Sequence, residues 1–229
     1  MSTLRKVFSR IKHEGILIFD NIFGLGFQRF FWTFHGGFDL DVSLKEPHRS
    51  YLVKKIDKFL KIKSVLEVGC STGANLIFLA ESHKEIQLYG CDISSTAIRQ
   101  AKKESDARAI DIKLSVGTTN NLKYFDDKSI DVVFSSATLI YVPPKFIIHS
   151  LTEMVRVAKK GVILNEFNFF ERSVKEKYFF RTSSYWVYDF AILLREHPDV
   201  KAIIVERMQP GLINDNNWNS YGSFIEILL

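Results

Sequence analysis

Short apolar runs alternate with segments of helical length between Ser64 and Asn165, and that rhythm admits few folds. Strands are expected at Ser64–Val68, Gln87–Cys91, Ile112–Val116, Ile130–Ser135 and Gly161–Asn165. Helices are expected over Ala74–Ser82, Ser95–Glu104 and Lys145–Ala158, and one beginning near His48 carries Tyr51, Leu52, Ile56, Phe59 and Leu60 on one face. Val132-Val133-Phe134 and Val162-Ile163-Leu164 are apolar without a break, as strands buried on both faces must be. Strands and helices that alternate in this way build a parallel sheet covered on both sides. The rhythm changes after Asn165. Tyr185–Leu194 predicts a helix, while Val200–Val205 and Ser223–Leu228 predict two strands joined through the Asn-rich stretch 214–219. The expected fold is α/β: a doubly wound, mostly parallel seven-stranded sheet with an antiparallel edge hairpin and an amino-terminal helical cap.

The cap is expected over residues 1–47 and the α/β domain over 48–229. Leu17, Phe19, Ile22, Phe23, Phe27, Phe30, Phe31 and Phe34 recur mostly at helical spacing, with a break expected near Gly24 and Gly26. Asp20 and Arg29 interrupt the run, whereas a membrane span needs about 20 nearly uncharged residues. Two readings stand: a lid packed on the domain, or a helix lying on a membrane surface with Arg5, Lys6, Arg10 and Lys12 beside it. The net charge of +5 is spread in pairs such as Lys54-Lys55 and Lys102-Lys103, so a nucleic-acid partner is not expected. Two cysteines, Cys70 and Cys91, are too few for a disulfide framework and lack metal-ligand spacing, which excludes those classes. No cleavable leader pattern is visible, so the cytoplasm is the expected compartment, with peripheral membrane contact through the amino-terminal helix as the variant.

The chemistry concentrates at Glu67-Val68-Gly69-Cys70-Ser71-Thr72-Gly73, between a strand and a helix. Glycine there permits a tight turn and lets backbone approach a cofactor without an intervening Cβ. Asp92 ends the second strand, about 20 residues on, where an acid accepts hydrogen bonds from ribose hydroxyls. Its other reading is a helix cap. The same loop is formally Gly-x-Ser-x-Gly, a hydrolase elbow with Ser71 as nucleophile. The helical segment before it, in place of several strands, argues against that topology. A nicotinamide fingerprint would want glycine where Ser71 stands.

Four motifs in register carry a resemblance. The glycine segment, Cys91-Asp92-Ile93-Ser94 with Ala97 and Ala101, Ser129 to Ser135, and Val155 to Gly161 resemble those of class I (Rossmann-like) S-adenosylmethionine-dependent methyltransferases. Tyr185 to Asp189 and Asn217 to Gly222 loosely resemble methyltransferases of bacterial surface-sugar pathways. The resemblance implies S-adenosylmethionine as cofactor, with Glu67, Gly69, Cys70, Ser71 and Gly73 around its methionine end and sulfur. Asp92 would hold the ribose, Ile93 the adenine face, and Ser135 and Ser136 the methionine moiety. Thr118, with Thr119, stands where the family often has an acid for the adenine amino group; Asn120 and Asn121 are substitutes. No decisive base is seen; Tyr141, Glu166 and Asn168 are the catalytic candidates, placed past the fourth and fifth strands. Arg172, Arg181, Tyr185, Trp186 and Trp218 fall in the third of the chain that lines the acceptor cleft in this family. The expected activity is methyl transfer to a small-molecule or sugar-like (glycan-precursor) acceptor. The alternatives are a lipid-linked acceptor, or a relative that binds the cofactor without catalysis.

Overall fold

The computed structural model describes Trp32 and residues 44–170, 178–182 and 185–229. The expected cap and its membrane-surface variant therefore fall mostly outside the described residues, as does Arg172. Among the described residues no helix is long and apolar enough to cross a membrane.

Seven strands form one sheet: β1 (Ser64–Val68), β2 (Gln87–Asp92), β3 (Ile112–Val116), β4 (Ile130–Ser136), β5 (Ala158–Phe167), β8 (Ala202–Arg207) and β9 (Gly222–Leu228). Their order is β3-β2-β1-β4-β5-β9-β8, with β1 to β5 parallel and β9 antiparallel to both β5 and β8. The doubly wound, mostly parallel sheet with an antiparallel edge is thus the observed one. α1 (His48–Asp57), α2 (Ala74–Ser82), α3 (Ser95–Ala107) and α4 (Pro144–Val157) cover it. β1, β4 and β5 are buried nearly throughout, and Val65, Leu66, Val132, Val133 and Ile163 are fully inaccessible. That dryness is what the unbroken apolar runs require.

Two expectations are corrected. Tyr185–Leu194 is not one helix: β7 (Trp186–Tyr188) pairs with β6 (Phe179–Arg181), and α5 (Phe190–Leu194) starts only after Asp189 caps it by accepting from Ile192 N. The Asn-rich stretch is not all loop, because Asp215 accepts from Asn217 N and Trp218 N and so starts α6 (Asn216–Tyr221). Both breaks are local side-chain caps, which outcompete a longer periodic pattern.

Helix α1 precedes the sheet in sequence and is held to its far edge by charge. Lys55 Nζ donates to Glu206 at 2.5 Å and to Glu226 at 2.8 Å, and Lys58 Nζ reaches the same Glu226 oxygen at 2.7 Å. Just beyond α1, the Phe59 ring lies against Gly161 on β5, where an added Cβ would come within 2.3 Å of Phe59 and 2.7 Å of the Ile227 carbonyl. Leu60, expected on the same face, is instead 80% exposed. Gly161→Ala should therefore destabilise the fold by about 1–3 kcal/mol. Thermal unfolding should show a melting temperature lowered by roughly 2–4 °C for each of those kcal/mol.

Candidate active site

A cavity of about 310 Å³ opens at the carboxyl ends of β1, β2 and β4, where the sheet order turns from β1 to β4. Such a switch point is where doubly wound sheets take ligands. The glycine segment forms its floor. Gly69 N and Cys70 N both donate to the Cys91 carbonyl, at 2.7 and 3.0 Å, which folds the loop back over β2. Gly69 has φ +81°, and a Cβ there would meet Thr138 Oγ1 at 2.2 Å, so no other residue fits. Gly73 has φ +83° and caps α2. Its wall faces Ala101 of α3 rather than the cavity.

Asp92 ties this loop to the next helix. Its Oδ2 accepts from Ser71 N and its Oδ1 from Ser94 N, both at 2.8 Å. Ser94 in turn caps α3 by accepting from Ala97 N. Burial pushes the Asp92 carboxyl above its ordinary range, against the two amide bonds that hold it down. Glu67 is 1% exposed, and Asn75 Nδ2 donates to its Oε1 at 2.6 Å, while its Oε2 is buried without a partner. Burial raises its pKa to about 8, although Asn75 and the nearby Arg49 act the other way.

Of the residues expected at the cofactor, Glu67, Gly69, Cys70, Ser71, Asp92, Ile93, Thr118 and Thr119 line the cavity. Ser135 does not: it is fully buried and donates from Oγ to Glu166 at 2.9 Å, and Ser136, one residue on, faces the cavity instead. Alternation along β4 turns neighbouring side chains to opposite sides. Thr119 Oγ1 is bonded to Ser150 at 2.7 Å. Both thiols are poor nucleophiles, since burial pushes Cys91 up to about 12 and Cys70 well above its ordinary value.

The catalytic candidates separate. Tyr141 lines the cavity and packs edge-on to Trp32 at 4.9 Å and to Tyr185 at 5.5 Å. Glu166 does not reach it. It is fully buried beneath the turn Leu139–Tyr141, where it accepts from Ser135 Oγ, from Thr138 N at 3.0 Å and from Ile140 N at 3.2 Å. Burial outweighs those bonds and lifts its pKa to about 7. Asn168 is also outside the cavity, bonded to the Phe169 carbonyl and accepting from Phe190 N. Both are braces, because a buried polar group at a strand end is satisfied first by local backbone. Trp186 and Trp218 pack in the aromatic cluster around Phe167 and Phe179. His48, Arg49, Asn75 and Trp32 line the cavity without having been anticipated.

Residues 65–161 match the family model described as "Methyltransferase domain". The match takes in the glycine loop, Asp92 and β1 to β4. The "Probable methyltransferase ltbC" of Aspergillus luteorubrus is 32% identical over 111 residues, 45% of this chain and 39% of that protein. A carboxy-S-adenosyl-L-methionine synthase of Campylobacter jejuni is 36% identical over 83 residues, 36% of this chain and 34% of that protein. The chain thus spans well under half the length of these relatives. A S-adenosylmethionine-dependent methyltransferase structure from Aquifex aeolicus superposes with a TM-score of 0.55 at 19% identity, over 84% of this chain and 99% of that one. At that identity the likeness is one of fold, and it is the Rossmann-like methyltransferase fold. S-adenosylmethionine, the cofactor expected from the sequence, stands in the names of the Campylobacter and Aquifex proteins.

Two buried carboxyls set a pH dependence. Both Glu67 and Glu166 hold their protons more tightly when folded than at the ordinary value of 4.5. Their favourable contribution is therefore complete below 4.5 and is lost as the pH rises through about 7 and about 8. Melting temperature without ligand should fall across that interval, and Glu67→Gln should flatten the fall; an unchanged slope in the variant contradicts the assignment.

Proposed function

We propose that this chain transfers the methyl group of S-adenosylmethionine to a small-molecule or glycan-precursor acceptor. The single observation that carries the reading is the placement of Asp92. Its carboxylate closes the glycine loop through two amides and still has acceptor capacity at the cavity edge for a ribose diol. The donor set suits the rest of that molecule. The partnerless Glu67 Oε2 offers an acceptor to an ammonium group, and Ile93 offers an apolar side to adenine. Thr118 and Thr119 stand at the adenine edge, with hydroxyl and backbone groups in place of a carboxylate.

When bound, the cofactor supplies a sulfonium methyl already activated for in-line displacement. The work left to the chain is to position the acceptor and exclude water. Tyr141 is the residue we assign to the acceptor. It lines the cavity with its ring edge-on to Tyr185 at 5.5 Å, so its phenol stands where an acceptor hydroxyl or amine would enter. Burial and the neighbouring Tyr185 hold the phenol far above its ordinary pKa, so Tyr141 orients rather than takes a proton. Trp32 and Tyr141 form a wall of rings at this side.

Calorimetric titration with S-adenosylhomocysteine tests the reading. The folded chain should bind, Asp92→Ala should weaken binding at least about tenfold, a loss of ~1.4 kcal/mol, and Ser71→Ala should change it by less than about threefold. Failure of the folded parent to bind at millimolar ligand overturns the proposal.

A further inference from the structure

His48 opens α1 and lies outside the segment that matches the methyltransferase family. It is 8% exposed and lines the cavity. Its Nε2 stands 2.7 Å from Arg49 Nη1. A guanidinium has only donors, so this bond makes Nε2 an acceptor and places the proton of the neutral ring on Nδ1. The ring stays neutral, because burial and then the adjacent Arg49 depress its pKa to about 3. His48 is therefore a poor general base and a fixed donor. Its Nδ1 is buried with no partner.

Two more buried atoms without partners line the same cavity: Glu67 Oε2 and Asn75 Oδ1. Asn75 Oδ1 is an acceptor, since Asn75 spends Nδ2 on the other Glu67 oxygen, and Glu67 Oε2 becomes one when a cation beside it displaces the carboxyl proton. Arg49, bonded to His48, also acts on the ionisation of Glu67, and all of these residues line the one cavity. The Nδ1 donor with the Arg49 guanidinium behind it, beside two acceptors and all buried, is complementary to a zwitterionic α-amino acid: carboxylate to the donor side, ammonium to the acceptors.

We propose that His48 is a further positioning residue for the methyl donor, its Nδ1–H, fixed by Arg49, donating to the carboxylate of the donor's amino-acid end. Helix α1 then completes a site that the matched segment leaves unfinished, with Asn75 joining Glu67 at the ammonium. This inference rests on the proposed methyl-donor reading. The Lys55 and Lys58 ion pairs to Glu226 fix α1, and with it His48, on the sheet.

The test compares two probes on three proteins by calorimetry. S-adenosylhomocysteine carries the amino-acid end, and 5′-methylthioadenosine lacks it. His48→Gln keeps an oxygen to accept from Arg49 and loses the donor at the Nδ1 position, while His48→Asn restores a donor there. The expected result is at least about tenfold weaker S-adenosylhomocysteine binding in His48→Gln, less than about threefold change in His48→Asn, and methylthioadenosine affinity within about twofold in all three. Equal weakening of both probes, which a merely structural role would give, overturns the proposal, as does an unchanged S-adenosylhomocysteine affinity in His48→Gln. If the parent binds neither probe, the methyl-donor reading itself has failed, and this inference falls with it.

Discussion

The carboxylate of Asp92 holds two loops at once, and the cavity exists because it does. One oxygen fixes the Ser71 amide in the glycine turn, and the other fixes Ser94 at the entry to α3. Each amide would otherwise be a donor at a helix entrance in need of a partner. Bringing them to one acidic side chain sets the distance between the ends of β1 and β2. Everything assigned to the donor site is measured from that point: Glu67 on one side, Ile93 and Thr118 on the other.

A second carboxyl, this one fully buried, does the same on the other half of the sheet. Glu166 gathers amides from the turn after β4, so that Tyr141 is presented from a rigid corner. Tyr188 reinforces the corner through a hydrogen bond to the Val142 carbonyl. The two acids differ in burial and in what they face: Asp92 is partly exposed and Glu166 is not. Asp92 borders the cavity, whereas Glu166 is enclosed by its partners. That difference separates a group open to a ligand from a brace, although both stand at the end of a parallel strand.

The sheet was legible in the sequence because parallel strands must be dry on both faces, and continuous apolar runs say so directly. The glycine loop and Asp92 were legible because their spacing is set by the strand-turn-helix unit itself. The catalytic candidates were less so. A strand end predicts that Glu166 and Asn168 are near the active-site rim, but it cannot say whether local amides claim them first. Ser135 and Ser136 differ by one residue, and strand alternation alone decides which one faces the ligand. His48 and Asn75 were missed for another reason. His48 approaches from a helix before the first strand, fastened by Lys55 and Phe59 to residues more than a hundred positions away, and no local pattern records that contact. The Tyr185–Leu194 helix failed at Asp189, a cap that a periodic reading passes over.

A co-crystal structure with S-adenosylhomocysteine tests the central claim most directly. The account predicts the ribose hydroxyls within hydrogen-bond distance of Asp92 and the amino-acid end between Glu67 and His48. Ligand bound elsewhere, or a ribose that makes no contact with Asp92, would contradict it.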